Sequence, residues 1–561
     1  MNNYKLRFIS LGGIVGVTKN MYVYELYKSS KPGNWELQDI IIVDCGIGFP
    51  TEKELGVDFV IPDISYLEDK TDKIRGILLS HGHEDHITAL PYHYQTLRRP
   101  PVYASKLTRM LVENKFKEFN QKVNVNEVDY KKSYRLGDFQ IEFIRVTHSI
   151  PDTTHILIKT PIGNIYHGAD FKFDLTPPYG PPPDFQAITN AGKQGVLCLL
   201  SDCLGAEREG LTLSENIVGL KFEDEIKKTK GAFIMTTFSS NISRIRQCVE
   251  AAIKFNRKIC FLGRSMKENT QLASQIGYLS IPHNLFIDDK DLLKIPPNKI
   301  CLIVAGSQGQ YDSALSKLSR GQNQYFKIKP GDKIIFSSDP IPGNEVEVYG
   351  LIEDLILKGA DVVYPDISDQ LHASGHANQE DLKFLIRFVD PKYFIPIGGT
   401  VRHQRQYQRL VDELGYDKNK VFTLDEGQAV WLEKDKANIS TSIETKNIYV
   451  DAYGVGDVGN VILRDRKTLS SEGVVVVVIT VDNQGRTLTP PKILSRGFVF
   501  EKEEGELYKK TSALIEKIVK PRGGNRINLV NAKRELIKEL ENLFYKERGR
   551  NPLVAVEIIQ I

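Results

Sequence analysis

The 561-residue sequence predicts a layered α/β protein in which one α/β domain interrupts another and a small α+β domain follows. Three observations carry this. Short apolar runs alternate with turns and helix patterns from residue 1 to about 205, and a second strand–helix alternation fills about 206 to 365. Short segments bearing histidines then return from about 366 to 445, as they would if the first domain were being completed after an insertion. The remainder, 446 to 561, has a different grain: a Gly-rich turn run, one β-branched strand, one long helix and a final strand.

In chain order, Met1 to Ser10, Met21 to Tyr27, Ile40 to Val43, Gly76 to Leu79 and Val196 to Leu200 read as strands. Leu107, Met110, Leu111 and Phe116 mark a helix by their spacing. Thr176 to Phe185 is rich in proline and reads as an irregular loop. In the interrupting segment, strands fall at Ala232 to Met235, Lys258 to Leu262, Ile300 to Ala305 and Lys333 to Phe336, with helices such as Ile242 to Phe255 between them. That alternation predicts a mostly parallel sheet. The last domain carries Gly454 to Gly459 as turns, Val474 to Val481 as a strand, a helix on Leu529, Ala532, Leu536, Leu540 and Leu543, and a strand at Leu553 to Ile559.

Composition excludes several classes. No apolar run approaches the roughly 20 residues that span a bilayer, and the N-terminal strand pattern contains no signal-peptide core. Six cysteines without a CxxC pair, mostly in apolar runs, fit reduced core residues of a cytosolic protein. A net charge of +3 argues against a basic tail while leaving room for a local basic groove.

The stretch that organises the chain is Ser80-His81-Gly82-His83-Glu84-Asp85-His86. It follows the apolar run Ile74 to Leu79 and precedes a helix-like pattern at Ile87, Ala89 and Leu90. Three imidazoles and two carboxylates on one strand-to-helix turn suit zinc, which takes nitrogen and oxygen ligands at about 2.0–2.2 Å. Gly82 gives the backbone freedom for His81 and His83 to face one point. The bland alternative is a polar loop that happens to be rich in histidine. Two downstream groups argue against it: His148, closing the alternating run Phe139 to Thr147, and Asp170, following Ile162 to His167. A lone His or Asp at a strand end more often caps or turns. The order and interval of these two after the histidine-rich turn assign them to the same site.

The set His-x-His-x-Asp-His, His, Asp resembles the metallo-β-lactamase superfamily, and Asp44 in Val43-Asp44-Cys45-Gly46 matches that superfamily's early strand-end Asp, which braces the metal loop. Further stretches resemble one branch of it, the ribonuclease J family of β-CASP nucleases. They are Ser201-Asp202-Cys203, Thr236 to Ile242, Gly263-Arg264-Ser265-Met266, Gly306-Ser307-Gln308-Gly309, Phe336-Ser337-Ser338, Pro340 to Glu345 and His372-Ala373-Ser374-Gly375-His376-Ala377. The resemblance covers essentially the whole chain. It implies a metallo-β-lactamase αββα sandwich (1–205 and 366–445) interrupted by a β-CASP α/β domain (206–365), with a C-terminal domain (446–561) whose own α+β pattern reads as a packing or oligomerisation module ahead of a nucleic-acid reader. It also implies hydrolysis of single-stranded RNA, 5′-to-3′ exonuclease action favouring a 5′-monophosphate, some endonuclease action, a homodimer or homotetramer, and a cytoplasmic role in RNA maturation and decay.

On this resemblance two Zn²⁺ ions are expected, with Mn²⁺ or Mg²⁺ able to substitute. His81, His83 and His148 hold one, Asp85 and His86 hold the other, and Asp170 bridges. Asp85 accepts a proton during attack, and His376 is the general acid or a donor to the phosphate, oriented and kept protonated by Asp202. A 5′-phosphate pocket is expected from Ser307, Gln308 and Gly309 after one strand and Ser239, Ser240 and Asn241 after another, with His372, Ala373, Ser374 and Gly375 beside them. For His372 a substrate contact and a buried structural role stand side by side. RNA is expected to thread between the two α/β domains and stack on aromatics that the sequence does not single out.

One departure opens rival readings. The family's last metal ligand is a His in Pro-x-His-Gly-Glu, but here the stretch reads Pro396-Ile397-Gly398-Gly399-Thr400. Gly398 stands where the imidazole belongs, leaving a second metal that binds more weakly than the first. His403, a turn into the helix that begins near Thr400, is the nearest replacement, and its position points it away. The alternatives are an RNA-binding scaffold with a degraded second site, and a DNA-directed or small-molecule metallohydrolase of the same superfamily.

Overall fold

The computed structural model describes residues 4–519 and 528–561, apart from 32, 52, 342, 369, 453, 484–485 and 500–503. Residues 1–3 of the first strand pattern and Pro342 of the Pro340-to-Glu345 stretch lie outside the described residues. The chain divides into two compact units, residues 1–49 with 61–447, and residues 50–60 with 448–561.

In the first unit, β1 (Tyr4–Gly12), β2 (Met21–Lys31) and β3 (Asn34–Val43) form an antiparallel meander. β4 (Ile74–Leu78), β5 (Val102–Ala104) and β6 (Val125–Glu127) extend it in parallel. A second sheet is built from β7 (Ser133–Leu136), β8 (Phe139–Arg145), β9 (Thr154–Thr160) and β10 (Gly163–Gly168), all antiparallel, with β11 (Val196–Asp202) parallel to β10. The chain then leaves to build a sheet of its own from β12 (Phe233–Thr236), β13 (Lys258–Leu262), β14 (Ile300–Val304), β15 (Lys333–Phe336) and β16 (Asp361–Val363). On its return, β17 (Tyr393–Ile397) pairs with β11, β18 (Ala429–Leu432) pairs with β1, and β19 (Ala437–Ile439) pairs with β18. Both sheets of the first domain are thus completed by residues that follow the insertion.

The first two sheets pack face to face. Leu6, Phe8, Ile41, Ile156, Leu200, Ile395 and Leu432 share one core between them. On the far side of the second sheet, Leu157, Tyr166, Leu199 and Phe394 bury against Ile188, Leu385, Ile386, Tyr407 and Leu410 from three helices. With the helix Lys106–Glu118, whose Leu107, Leu111 and Phe116 are buried, this is an αββα sandwich.

The inserted sheet is parallel throughout, in the order β13-β14-β12-β15-β16. Its strands read as near-continuous apolar runs because both faces are covered: Phe233 and Met235 lie in one core, Ile234 and Ile334 in the other. From β12 the chain crosses to one side of the sheet, and from β15 to the other. A crevice therefore opens beyond the carboxyl ends of these two neighbours, where open α/β sheets hold their ligands.

In the second unit, Val474–Val481 lies between an antiparallel Lys492–Arg496 and a parallel Leu553–Gln560. Its alternate residues Val475, Val477, Ile479 and Val481 face Ile515, Leu536 and Leu540 of two helices, Glu504–Val519 and Leu529–Arg548. Asp58 N donates to Val450 O at 2.9 Å, which joins residues 50–60 to this unit. Among the described residues no helix is long and apolar enough to cross a membrane.

Candidate metal centre and active site

The histidine-rich turn begins where β4 ends. Its first helix, α1 (Glu84–Ile87), opens inside the motif at Glu84, earlier than the apolar pattern at Ile87 to Leu90 suggests. Asp44 braces the turn from the end of β3. One carboxylate oxygen accepts from Ser80 N (2.8 Å), the other from Ser80 Oγ (2.7 Å) and His86 Nδ1 (2.7 Å). Cys45 N donates to His86 O at 2.8 Å, and a side chain at Gly46 would collide with the Asp85 carbonyl. The reason for Gly82 differs from the one the sequence suggested. Its backbone is not left-handed; a Cβ there would lie 2.5 Å from Leu111 Cδ1, so the bare backbone makes room for α2 (Lys106–Glu118).

Three imidazoles converge in front of this brace. Ser80 Oγ donates to Asp44, so it accepts from His81 Nδ1 at 3.0 Å and leaves His81 Nε2 as a lone pair. His148 Nδ1 donates to Gly375 O at 2.6 Å, leaving its Nε2 free, and His83 Nε2 lies 3.2 Å from Ser149 Oγ, leaving its Nδ1. The three lone-pair nitrogens face one another, His83 Nδ1 standing 3.0 Å from His81 Nε2 and 3.1 Å from His148 Nε2. Asp170 Oδ2 lies 3.9 Å from His81 and 3.8 Å from His148. These four residues offer ligand atoms within 4.8 Å of one another. Burial holds the His81 and His83 rings well below the usual imidazole range and His148 down at about 3, so all three rings are neutral. Converging lone pairs beside a buried carboxylate fit a divalent cation.

The other side of Asp170 is built differently. His86 Nε2 lies 3.4 Å from Asp170 Oδ2 and 3.5 Å from Asp85 Oδ2. Burial works against a charged His86, but Asp85, Asp170 and Asp44 outweigh it and raise its pKa well above the usual range. Burial pushes the Asp85 carboxyl up to about 6, against the pull of His86. Asp170 goes the other way: His86 and His376 overcome its burial and hold it well below the carboxylate range. Asn20 Nδ2 reaches both His86 Nε2 (3.0 Å) and Asp85 Oδ2 (3.2 Å). Gly398 sits at the end of β17 with φ +65°. A Cβ on it would stand 3.6 Å from Asp202 Oδ1 and 3.7 Å from Asp170 Oδ1, in ordinary contact with both carboxylates and without a clash. His403 does not fill that space. Its Nδ1 accepts from Thr400 N (3.2 Å) as part of a capping box on α5 (Val401–Glu413; the inserted domain's Ile242–Lys254 is α3 below and Gln379–Val389 is α4), and its Nε2 faces Glu207 at 3.6 Å.

His376 stands opposite, its ring centre 5.0 Å from that of His148. Its Nδ1 binds Asp202 Oδ2 at 2.8 Å and its Nε2 faces Asp170 at 3.8 Å. Burial disfavours the imidazolium here, but Asp202 and Asp170 more than offset this and push its pKa up to about 9. A side chain at Gly375 would come within 2.6 Å of His148 Cε1, which is why that position is bare.

These groups line one cavity of about 280 Å³. His83, Asp85, His148, Asp170, His372, Ser374, Gly375 and His376 face it from the sandwich and the returning segment; Ser240 and Asn241 face it from the inserted sheet. Asn241 also caps α3 (Ile242–Lys254), accepting from Arg244 N at 3.0 Å. Ser239, Ser307, Gln308 and Gly309 do not line the cavity. Gln308 Nε2 donates to Asp339 O (2.9 Å) and its Oε1 accepts from Ile341 N (2.7 Å), so the glycine-rich turn braces the loop that forms the wall. Ser239 Oγ is taken by Asn269 (3.2 Å), and Ala373 is buried behind the wall. The sequence reading missed Asn20, the cavity-lining Arg208 and Arg402, and the aromatic Phe49, which are placed only by the fold, and it did not single out Phe238 within the Thr236 to Ile242 stretch.

Comparison with known proteins agrees with this architecture. Four family models match: a beta-lactamase superfamily domain at residues 40–177, the beta-CASP domain of ribonuclease J at 230–355, a Zn-dependent metallo-hydrolase RNA specificity domain at 362–424, and the ribonuclease J C-terminal domain at 461–561. The chain is 35% identical to ribonuclease J 1 of Streptococcus pyogenes serotype M3 over 556 residues, covering 98% of this chain and 97% of that one. It is 35% identical to ribonuclease J2 of Bacillus subtilis over 565 residues, covering 100% and 99%. With ribonuclease J 2 of Staphylococcus aureus (strain NCTC 8325 / PS 47) the identity is 33% over 563 residues, covering 100% and 99%. Among solved structures, a protein of unknown function from Enterococcus faecalis V583 shares the fold with a TM-score of 0.54 at 17% identity, over 76% of this chain and 100% of that one.

Proposed function

The chain belongs to the ribonuclease J family, and from that premise we propose that it is an active, metal-dependent nuclease degrading single-stranded RNA from the 5′ end, favouring a 5′-monophosphate, with some endonucleolytic cleavage. The observation that carries the reading is the convergence of the His81, His83 and His148 lone pairs beside Asp170, facing a protonated His376 across one cavity. We assign one divalent ion to His81, His83, His148 and Asp170 and a second, weaker one to Asp85, His86 and Asp170, zinc being the expected ion. Bound there, such ions neutralise phosphate charge and acidify a water.

The chain's own residues supply the proton movements. Asp85, raised to about 6, is the carboxylate able to take the proton of the attacking water, while Asp170 stays ionised. His376 donates from Nε2 to the leaving 3′ oxygen, and Asp202 orients it through Nδ1. The 5′ phosphate is placed at Ser240 and the Asn241-capped N-terminus of α3, where the helix dipole favours an anion. Arg208 and Arg402, paired with Asp339 (3.0 Å) and Glu207 (3.3 Å), are the guanidinium groups within reach of a backbone phosphate, and Phe49 and Phe238 offer stacking faces. Degradation rates of 5′-monophosphorylated and 5′-triphosphorylated single-stranded RNA test this: the monophosphate should be degraded faster and release mononucleotides. Equal rates on the two ends remove the 5′ pocket from the account.

The same reading includes a homodimer or homotetramer to which residues 446–561 contribute, and a cytoplasmic role in RNA maturation and decay. Light scattering should show a chain ending at residue 445 as a monomer; assembly with undiminished affinity would place the interface elsewhere. Gly398 favours a second reading, an RNA-binding scaffold with a weakened centre, and the metal titration described in the Discussion separates the two.

A further inference from the structure

Arg244, three residues after Asn241 on α3, has no exposed surface. Arginine has five N–H donors and no acceptor, and here all five are engaged. Nε donates to Glu215 Oε2 (3.1 Å). Nη2 donates to the same carboxylate (2.7 and 2.9 Å) and to Ala373 O (3.2 Å). Nη1 donates to Ser337 O and Oγ (2.9 Å each) and faces His372 Nδ1 at 3.2 Å. Glu215 also takes Lys172 Nζ at 3.1 Å. Burial pushes the Glu215 carboxyl up, but Arg244 and Lys172 outweigh it and hold it at about 2.

This joint ties four segments. Lys172 lies two residues from Asp170, Glu215 follows the first crossing into the inserted domain, Ser337 ends β15, and residues 372–373 lead directly to Gly375 and His376. The last segment carries the geometry of the centre, since Gly375 O fixes the tautomer of His148 and His376 pairs with Asp202. Because arginine cannot accept, the His372 nitrogen facing it must, so the ring carries its proton on Nε2, on the side of Asp339 (3.6 Å) and the cavity.

We propose that Arg244 is a positioning residue for RNA cleavage, holding segment 372–376 from the inserted domain so that Gly375 meets His148, His376 meets Asp202, and His372 presents an N–H to the cavity. The proposal rests on the reading of the cavity as an RNA-cleaving centre. A buried charge pair alone is weak grounds for such a role, because many serve packing. The same region supplies a control. Arg257 is also buried and belongs to the opposite end of the same sheet, where it donates to backbone carbonyls, those of Gly231 (2.9 Å), Ile300 (3.0 Å), Thr229 (2.9 Å) and Ile226 (3.5 Å).

The test compares Arg244→Lys and Arg257→Lys in the full chain, reading thermal unfolding together with kcat and KM on 5′-monophosphorylated RNA at saturating Mn²⁺. Lysine keeps the charge but loses the fork. Both variants should unfold at lower temperature. Only Arg244→Lys should lose kcat, on the order of 10- to 100-fold as misplacement of reacting groups does, with KM little changed. Unchanged kcat in Arg244→Lys, or parallel losses in both variants, overturns the proposal. Should Arg244→Lys fail to fold, Ser337→Ala removes one anchor, whose Oγ also holds Leu371 O at 2.5 Å, and should lower kcat without raising KM; no change there overturns it equally. If the wild type cleaves no RNA with any divalent ion, the reading of the cavity falls and the positioning role falls with it.

Discussion

The two sides of the candidate metal centre share Asp170 and differ in how their ligands are prepared. On one side every imidazole is neutral, and its far nitrogen is anchored: His81 by Ser80, His83 by Ser149, His148 by Gly375 O. On the other side a single imidazole, His86, is anchored by Asp44 among carboxylates, and Gly398 offers no side chain beside Asp170 and Asp202. The first side is preorganised for tight binding of a cation. The second is rich in groups that hold protons. The difference teaches that one compact centre can set neutral, anchored imidazoles on one side of Asp170 and a charged imidazole among carboxylates on the other.

The largest effect that would break this comparison is on the first side. His83→Ala should leave the chain folded by circular dichroism, strip bound metal, and lower kcat by roughly 10³-fold or more, since the metal contributes several kcal/mol of charge stabilisation. Full cleavage by that variant after exhaustive chelation would show that the hydrolytic centre lies elsewhere. A smaller effect sharpens the second side. Gly398→His should tighten the weaker metal roughly tenfold or more, the scale on which even outer ligand partners act. The left-handed backbone costs about 1–2 kcal/mol of stability for a residue with a side chain, although histidine is among those that tolerate it. The smallest effect belongs to His403→Ala in the same titration. With Nδ1 committed to the cap at Thr400, its loss should cost about 0.5–1 kcal/mol of stability and leave metal affinity unchanged. An emptied second site in that variant would make His403 the missing ligand, and a wild type that binds one ion and cleaves nothing would favour the scaffold.

The metal-side residues were legible because their chemistry is written in short spacing: a His-x-His-x-Asp-His turn reads as a ligand set before any fold is known. The strands Lys258–Leu262 and Val474–Val481 were legible because apolar runs and strict alternation are local patterns. The rest depends on long-range placement. Asn20 reaches His86 only because the loop after β1 folds across the turn, and Arg208 meets the cavity through a crossing between domains. The helix Asn460–Glu472 has no buried residue and so no apolar stripe to announce it. Gln308 is another such case: two backbone groups of a neighbouring loop hold its side-chain amide, a bond between distant segments that no local pattern announces.

The insertion has a consequence for how the chain is made. Leu6 of β1 pairs with Leu432 of β18, and Leu199 of β11 pairs with Phe394 of β17. The parallel sheet between them uses only residues 233–363 and can close as soon as they emerge. At about 5–20 residues per second of synthesis, β1 waits on the order of tens of seconds for its partner. During that interval both sheets of the sandwich carry an open edge, the condition under which strands recruit the wrong neighbour. The protein therefore passes through a nascent state in which the inserted sheet can be complete while the sandwich that carries His81, His83, His148 and Asp170 still lacks its closing strands.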